Sequence, residues 1–230
     1  MRSVGMRTDL STANLSDACL RLGVHPRCIA LRSLIEGTRI AGRAVTVRHV
    51  GSVDVFLEAI GHAPRGAILV IDNGGRLDEG CIGDLVGIEA QAAGLSGMIV
   101  WGMHRDSREL RELQIPVFSL GAMANGPMRL DPRVAPTFGE AQISDFLATD
   151  DDAVVADDDG ALFFPLDRYD EIVAAAIGVR DVEAEQARRV KAGASLRDQF
   201  RFAAYLERRR SDPDRTFRDH LRDLKGEIEV

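Results

Sequence analysis

Two short segments combine glycine, acidic and basic residues where predicted helices begin: residues 83–86 (GDLV) and 104–107 (HRDS). Loops at strand ends often carry the functional site of an α/β protein, because the strands hold them rigidly. The backbone N–H groups of Leu85 and Val86 would lack partners at the first helix start, and the helix dipole there favours an anion. We therefore assign Gly83, Leu85 and Val86 to the binding of a substrate carboxylate.

The side chains of the same segments could bind a metal ion and an acidic substrate. Arg105 can pair with a carboxylate through two parallel hydrogen bonds. Asp84 and Asp106 supply the hard oxygen ligands that divalent cations prefer, directly or through water. Taken singly, Asp84 is an ordinary helix cap, and Arg105 with Asp106 is a surface ion pair or another cap. The combination suits a metal and a substrate that carries a carboxylate.

The composition argues against several classes of protein. The chain has 230 residues, of which 45% are hydrophobic and 28% charged, a balance typical of a globular protein. Its formal charge of −7 and aromatic content of 5% argue against a dedicated nucleic-acid or anionic-membrane binder. No apolar run approaches the ~20 residues that span a bilayer, and the N-terminus lacks a signal-peptide core. We expect no nucleic-acid or membrane partner.

Cysteine usage predicts the compartment. Cys19, Cys28 and Cys81 are odd in number and share no CxxC spacing. This pattern favours reduced thiols over a disulfide framework or a zinc site. We therefore expect a cytoplasmic protein.

Hydrophobic patterning predicts alternating helices and strands in the first part of the chain. Ser11 caps a first helix, and Ala44–Val50 is rich in β-branched residues, which is typical of a strand. Ser52 caps a short second helix. Ala67–Ile71 is a buried strand, and the residues after it, Asp72–Gly75, form a turn.

The same alternation of helices and strands continues through residues 83–86 and 104–107, the two segments with candidate functional residues. A helix runs from Gly83 to Gly94 with an apolar face of Leu85, Ile88 and Ala92. Met98–Trp101 is the next strand and ends at Gly102, and Ser107–Leu113 is a short helix. Ile115-Pro116-Val117-Phe118 begins another extended piece.

The character of the sequence changes after Pro165. Residues 120–165 are dense in glycine, proline and aspartate, which predicts short strands and turns. A long helix then covers about 167–192, a second helix begins at Ser195, and a third begins at Asp214 or Thr216. We divide the chain into a catalytic domain over residues 1–166 and a helical extension over 167–230, packed on the same or a neighbouring subunit.

Asp84 precedes Arg105-Asp106 by twenty intervening residues. This arrangement resembles the signature of the class II pyruvate aldolases, the 4-hydroxy-4-methyl-2-oxoglutarate aldolase family. That family also contains the RraA-like regulators of ribonuclease E activity. The resemblance covers about residues 10–200, with residues 42–47 similar to the family's first strand and residues 94–100 similar to its central block.

The resemblance implies an α/β fold of the swivelling β/β/α type, with a compact domain and a C-terminal helical extension. It also implies a homotrimer or a dimer of trimers, with the site between subunits. In some members a neighbouring subunit contributes an acidic residue, which cannot be aligned to a particular glutamate of this sequence.

The family's site residues can be carried over only where this sequence matches them. The resemblance implies that Asp106 binds Mg2+ or Mn2+, largely through water, and that Arg105 holds substrate and enolate oxygens. It implies that Asp84 positions a metal-bound water, and that the amides after Asp84, those of Leu85 and Val86, bind the pyruvyl carboxylate. A metal and an arginine would stabilise the enolate left by C–C cleavage.

Lysine content supports metal chemistry over the main alternative. A Schiff-base aldolase needs a lysine in a core pocket. This chain has only Lys191 and Lys225, both in the predicted terminal helices. Metal-assisted cleavage is therefore favoured.

The predicted function is cleavage of a 4-hydroxy-2-oxo acid to pyruvate and a second carbonyl compound, together with decarboxylation of oxaloacetate. Trp101 and His104 differ from many family aldolases and are expected to border the pocket, so the identity of the second product is left open. For His104, local packing or hydrogen bonding is the alternative interpretation. The alternative is a non-catalytic regulator that binds a ribonuclease, although such members are expected to lack the acidic ligand that Asp106 provides. A quinone methyltransferase is disfavoured, because no strand leads into a GxGxG-type loop.

Overall fold

The computed structural model describes residues 6–133 and 135–224, in which strands and helices alternate as predicted. The strands are β1 (Arg27–Ile29), β2 (Arg32–Ser33), β3 (Ile40–Arg48), β4 (Ile68–Ile82), β5 (Gly97–His104), β6 (Val117–Ser119), β7 (Gly121–Ala122), β8 (Glu140–Ile143), β9 (Phe146–Thr149), β10 (Asp152–Asp157) and β11 (Gly160–Pro165). The helices are α1 (Thr12–Arg21), α2 (Asp54–His62), α3 (Asp84–Ala93), α4 (Ser107–Leu113), α5 (Tyr169–Lys191), α6 (Leu196–Gln199), α7 (Phe202–Ser211) and α8 (Phe217–Asp223).

Strand β3 joins a parallel half and an antiparallel half of one sheet. On one side β3, β4, β5 and β6 pair in parallel. On the other side β3 pairs antiparallel with β10, which continues antiparallel to β11 and β1. The strand order is β1-β11-β10-β3-β4-β5-β6-β2, and β8 and β9 form a separate hairpin.

Alternate residues of the central strands enter different hydrophobic clusters, because successive strand side chains point to opposite faces. In β4, Leu69 and Ile71 pack with α2, α3 and α4. Ile68 and Val70 instead face a second cluster that includes β10, β11 and the β8–β9 hairpin. The outer face of β10 and β11 is covered by α1 and α5. The predicted α/β class with a C-terminal helical region is confirmed.

Several predicted helix ends are confirmed. Ser11 caps α1 by accepting a hydrogen bond from the Asn14 amide at 3.1 Å. Gly94 ends α3. The predicted Ser52 cap is wrong: Val53 occupies the N-cap position of α2 without a side-chain cap hydrogen bond.

The predicted turn at Asp72–Gly75 is also wrong, because β4 continues to Ile82. Gly74 and Gly75 adopt φ values of 64° and 66°, and the register of β4 against β5 shifts after Asp72. Glycines in this left-handed region allow a bulge inside a strand instead of a chain reversal. Strand β5 likewise does not end at Gly102 but runs on to His104.

The apolar face predicted for α3 is wrong. Leu85 and Ile88 are 75% and 47% exposed, whereas Val86 and Ala90 are buried. Gly87 explains the difference, since a Cβ there would lie 2.6 Å from Leu110 Cδ2 of α4. Helix α3 therefore packs through its smaller residues and leaves its larger aliphatic side chains at the surface.

The C-terminal helices divide into a core helix and an aromatic cluster. Helix α5 packs against α1 through residues such as Ile172 and Ala176. Beyond it, α7 packs beside the buried His220 of α8. Ser195 caps α6 and Thr216 caps α8, at the two predicted helix starts. Lys191 ends α5, whereas Lys225 lies outside the described residues.

Among the described helices, none combines the length and the apolar character needed to cross a bilayer. The division at residue 166 stays a prediction.

Candidate active site

The junction of β4 and α3 forms the first wall of the site. Gly83, not Asp84, is the N-cap of α3, and Asp84 is the first helical residue. The Asp84 carboxylate accepts a hydrogen bond from the Leu85 amide, with Oδ1 2.8 Å from the nitrogen. One of the amides predicted to bind the substrate is therefore engaged by Asp84 itself. The Val86 side chain is buried beneath the helix start.

The end of β5 forms the second wall. The Arg105 amide donates to Ile82 O at 2.9 Å, which joins the ends of β5 and β4. Asp106 occupies the N-cap position of α4 with a left-handed backbone, φ 56° and ψ 42°, and makes no side-chain cap hydrogen bond. Aspartate tolerates this conformation better than most residues.

The Asp106 side chain turns toward α3 instead of capping its own helix. Its Oδ2 lies 3.4 Å from the Asp84 backbone nitrogen. A Cβ on Gly83 would overlap the same oxygen, so the carboxylate needs a glycine at position 83. Asp106 therefore holds the N-cap position of α4 without capping it through its side chain.

The Arg105 guanidinium lies between a carboxylate and a backbone wall. Its Nε is 3.4 Å from Asp106 Oδ2, and the two side chains are 47% and 34% exposed. On its other side, a Cβ on Gly126 would lie 2.7 Å from Arg105 Nη1. The guanidinium thus remains accessible to a ligand while its position is restricted.

One cavity of about 380 Å³ collects these groups. All six residues singled out by sequence, namely Gly83, Asp84, Leu85, Val86, Arg105 and Asp106, line it. The remaining lining residues are His49, Gly51, Val53, Gly80, Cys81, Ile82, Gly126 and Pro127.

A buried polar cluster behind this cavity has no counterpart in the sequence analysis. Glu79, Asn73 and His49 are 3%, 2% and 4% exposed. Arg129 Nη2 lies 3.0 Å from both Glu79 Oε1 and Asn73 Oδ1, and His49 Nδ1 lies 2.7 Å from the same Asn73 oxygen. Burial lowers the pKa of His49 below its usual value of 6.5, although the hydrogen bond that His49 Nδ1–H donates to Asn73 Oδ1 opposes that shift.

Trp101 and His104 do not line the cavity, which corrects the expectation that they border it, while the alternative interpretation of His104 as a local hydrogen-bonding residue is confirmed. The Trp101 indole packs over Gly75, where a Cβ would lie 2.9 Å from the ring. His104 is buried, with its ring nitrogens 2.8 Å from Ser119 Oγ and 2.9 Å from Ser107 Oγ. Burial lowers the pKa of His104. Its role is local hydrogen bonding.

Cys81 contributes a thiol to the cavity wall. Burial raises its pKa to about 12, so the thiol stays protonated near neutral pH. A protonated thiol is a poor nucleophile. Cys81 is therefore part of the packing, and all three cysteines are free, as predicted.

The donor set fits a hard divalent cation with few protein ligands. Within residues 6–133 and 135–224, no group of three or more His, Cys, Asp or Glu side chains is placed to share a metal. Mg2+ commonly binds one or two carboxylates and completes its shell with water and substrate oxygens. Asp106, with its carboxylate set over Gly83 and beside the substrate-accessible Arg105, meets that requirement.

The residues that line the cavity all lie within a segment that a family model matches. The RraA-like model, described as Aldolase/RraA, matches residues 12–163. A protein of Deinococcus radiodurans, provisionally named 4-hydroxy-4-methyl-2-oxoglutarate aldolase, is 33% identical over 156 residues, covering 66% of this chain and 93% of that protein. Protein DlpA of Legionella pneumophila is 29% identical over 193 residues. That match covers 81% of this chain but only 31% of DlpA, so this chain spans about a third of DlpA.

Solved structures share the fold. An uncharacterized protein from Pseudomonas syringae pv. tomato gives a TM-score of 0.71 at 28% identity, covering 82% of this chain and 91% of that one. Streptomyces coelicolor RraAS2, described as an unusual member of the RNase ES inhibitor RraA family, gives 0.70 at 26% identity, covering 79% and 94%.

Proposed function

This chain belongs to the RraA-like (Aldolase/RraA) family, and from that premise we propose that it is a divalent-metal-dependent lyase. Its substrate is a 4-hydroxy-2-oxo acid, which it cleaves to pyruvate and a second carbonyl compound, and it also decarboxylates oxaloacetate. The observation that carries the proposal is the convergence of Asp84, Arg105 and Asp106 on one cavity, from the ends of two neighbouring parallel strands.

Both reactions generate the enolate of pyruvate, so both require a site that stabilises developing negative charge. Arg105 is exposed enough to reach the oxygens of that enolate, and its planar guanidinium suits two of them at once. Mg2+ or Mn2+ held by Asp106 would supply Lewis-acid stabilisation of the same charge.

Aldol cleavage additionally removes a proton from the 4-hydroxyl group. We assign this step to a water molecule held by the Asp84 carboxylate, which borders the cavity at the start of α3. Decarboxylation of oxaloacetate needs no such base. The two reactions therefore share Arg105 and differ in their dependence on Asp84.

The substrate carboxylate is assigned to the N-terminus of α3, at the amides that follow Gly83. This helix has ten residues, and its dipole favours an anion at that end. Because the Leu85 amide is engaged by Asp84, binding there requires the Asp84 side chain to rotate. Val86 supplies a second amide at the same helix end.

We further propose that the protein assembles as a homotrimer or a dimer of trimers. Leu85 and Ile88 of α3 are exposed, and α3 packs against α2, where Val53 at the N-cap and Leu57 are 50% and 48% exposed. Val53 and Leu85 also line the cavity, so a second copy covering this apolar face would close the site. Such a neighbour could add an acidic ligand.

A non-catalytic regulator that binds a ribonuclease is the second candidate. The similarity to RraAS2 of S. coelicolor, described as belonging to an RNase inhibitor family, favours it. The presence of the Asp106 carboxylate over Gly83 favours the enzyme, because a protein-binding surface has no need of that placement.

A coupled pyruvate assay distinguishes the two. The protein is stripped of metal with EDTA and then tested on a panel of 4-hydroxy-2-oxo acids and on oxaloacetate, with and without added Mg2+ or Mn2+. The lyase proposal expects pyruvate release that depends on the metal. Absence of pyruvate release from every substrate, combined with specific capture of a ribonuclease, would replace it with the regulator.

A further inference from the structure

Glu79 carries a nearly fully buried carboxylate that the proposed reaction does not use. It lies on β4, four positions before Gly83. Arg129 Nε is 3.1 Å and 3.3 Å from its two oxygens, and Arg129 Nη2 is 3.0 Å from Oε1. Arg76 Nε at 3.5 Å and His49 Nδ1 at 3.7 Å lie farther away. A buried carboxylate persists only when it is paired, so Glu79 fixes the position of Arg129.

Arg129 belongs to an extended segment between β7 and β8, and we call residues 123–131 the strap. The strap lies directly against the chain beneath it, since a Cβ on Gly51 would overlap the carbonyl oxygen of Arg129. Backbone hydrogen bonds hold both of its ends: from Met123 N–H to His104 O (2.8 Å), from Gly80 N–H to Asn125 O (2.7 Å) and from Asp131 N–H to Val50 O (2.8 Å). The Arg129 side chain connects the strap to the buried polar cluster, through its hydrogen bonds to Glu79 and Asn73.

The strap also packs against the Arg105 guanidinium. Gly126 and Pro127 of the strap line the cavity. The space beside Gly126 is so narrow that a Cβ there would lie 2.7 Å from Arg105 Nη1. A shift of the strap would therefore change the room available to that guanidinium.

We propose that the buried Glu79–Arg129 pair is a positioning lock that holds the strap and, through Gly126, orients Arg105 toward the oxygens of the substrate. Glu79 and Arg129 are positioning residues, because neither touches the reacting atoms. The inference rests on the proposed function in assigning Arg105 to substrate binding. Small losses of alignment at such a group lower the rate strongly, because the reacting atoms must be held in a narrow range of geometries.

The molecule contains a matched control for the lock. Arg27 pairs with Asp152 of β10, and their side chains are 22% and 5% exposed, against 21% and 4% for Arg129 and Glu79. Asp152 does not line the cavity. Glu79→Gln and Asp152→Asn each remove the buried carboxylate partner of a similarly buried arginine. Arg129 then keeps a second, more exposed partner, Asp131, which belongs to the strap itself and does not connect the strap to the buried cluster. A purely structural effect should therefore be no larger in Glu79→Gln than in Asp152→Asn.

The test is a double-mutant cycle with Arg105→Lys, measured as kcat/KM per folded enzyme. We expect Glu79→Gln to lower kcat/KM by about ten-fold in the wild-type background but by less than about two-fold in the Arg105→Lys background, because residues in one unit are not additive. Asp152→Asn should change kcat/KM by less than about two-fold in either background. Equal losses from Glu79→Gln in both backgrounds would overturn the lock.

Hydrogen exchange tests the lock without using the reaction. In Glu79→Gln, peptides that contain the Met123 and Asp131 amides should exchange faster than in wild type, whereas in Asp152→Asn they should not. Unchanged exchange of the strap overturns the lock. Faster exchange in a protein that releases no pyruvate from any substrate supports the lock and refutes the proposed reaction.

A second variant covers the case in which Glu79→Gln does not fold. Gly126→Ala leaves the buried pair intact and places a methyl group against the flexible end of Arg105. We expect about a ten-fold loss of kcat/KM with unchanged strap exchange. Gly61→Ala is its control, because a Cβ at Gly61 would meet open space. Wild-type kcat/KM in Gly126→Ala would overturn the proposal.

Discussion

The Asp106 carboxylate occupies the space that a side chain at Gly83 would need. The two residues lie at the ends of neighbouring strands, β5 and β4, which the hydrogen bond from the Arg105 amide to Ile82 O holds together. Gly83 has φ −146°, a conformation open to any residue, so its backbone does not require glycine. What requires glycine there is the carboxylate of Asp106.

Gly83→Ala should therefore displace Asp106 and weaken metal binding. We expect the Kd for Mn2+ to rise by about 10- to 100-fold, the range for changes that disturb the orientation of a ligand. Isothermal titration with Mn2+ measures it. Gly61→Ala, at an open position of α2, should leave the Kd unchanged and stabilise the fold by up to about 1 kcal/mol. An unchanged Kd in Gly83→Ala would show that Asp106 does not bind the metal.

Asp106→Asn removes the charge of the proposed ligand while preserving the backbone. Asparagine tolerates the left-handed conformation found at this position, so the Tm should change little. Loss of Lewis-acid stabilisation should lower metal-stimulated turnover by about 100-fold or more. Turnover is measured by pyruvate release with and without Mg2+, and retained stimulation would contradict the metal assignment.

Asp84→Asn should separate the two proposed reactions. Losing a positioned general base typically costs about 10²- to 10⁴-fold in rate, and only aldol cleavage needs that base. We expect aldol turnover to fall by that amount and oxaloacetate decarboxylation to fall far less. Glu89→Gln, at an exposed position of the same helix, is the control. Equal losses in both assays would place Asp84 in metal or substrate binding.

Ile88→Glu should disrupt the proposed assembly. The side chain is exposed on α3 beside the cavity wall, and a charge there would be desolvated by a neighbouring copy. Light scattering should show a smaller species than for wild type. Leu20→Glu, at an exposed leucine of α1, should not change the mass. A wild-type mass for Ile88→Glu would remove this face from the interface.

Acidification should reduce stability through His49. Burial lowers the pKa of His49 in the folded protein, so the unfolded chain takes up the proton at higher pH. The contribution of His49 to the free energy of unfolding is therefore fully present above pH 6.5 and is lost as the pH falls through the pKa of His49 in the folded protein. The free energy of unfolding falls by at most about 1.4 kcal/mol per pH unit in this range.

Urea unfolding between pH 7.5 and 5.5 checks this prediction. The difference in free energy of unfolding between wild type and His49→Gln should shrink as the pH falls, while contributions from other groups cancel. Arg129 and Glu79 face His49 with opposite charges, and their opposing effects leave burial as the main cause. A difference that stays constant over the range would contradict it.

Local sequence signals singled out six residues that line one cavity, because these residues stand at the ends of strands and the starts of helices. Asp84 and Asp106 each follow a strand and begin a helix, and such positions have recognisable caps and turns. The spacing of Leu85, Ile88 and Ala92 predicted the wrong buried face of α3. Periodicity alone could not show that Gly87 lets α3 and α4 approach closely, which a contact between two helices decides.

The sequence analysis did not predict the Glu79–Arg129 pair or the strap, and the reason is different. Glu79 and Arg129 are 50 positions apart, and neither lies in a pattern that distinguishes it from surface charge. The glycines after Asp72 predicted a turn, because such glycines occur most often in turns. Only pairing with β5 shows that they form a bulge, which lets β4 continue and carry Glu79 into the interior.

The hydrogen bond from the Leu85 amide to Asp84 Oδ1 has a consequence for ligand entry. The positive end of α3 is occupied by an anion that belongs to the chain itself. An incoming carboxylate can accept a hydrogen bond from that amide only after the Asp84 side chain has moved away. Binding of the acid and release of the Asp84 side chain are therefore coupled. The Asp84 side chain therefore competes with any incoming carboxylate for the Leu85 amide, and this competition lowers the affinity of the site for carboxylates.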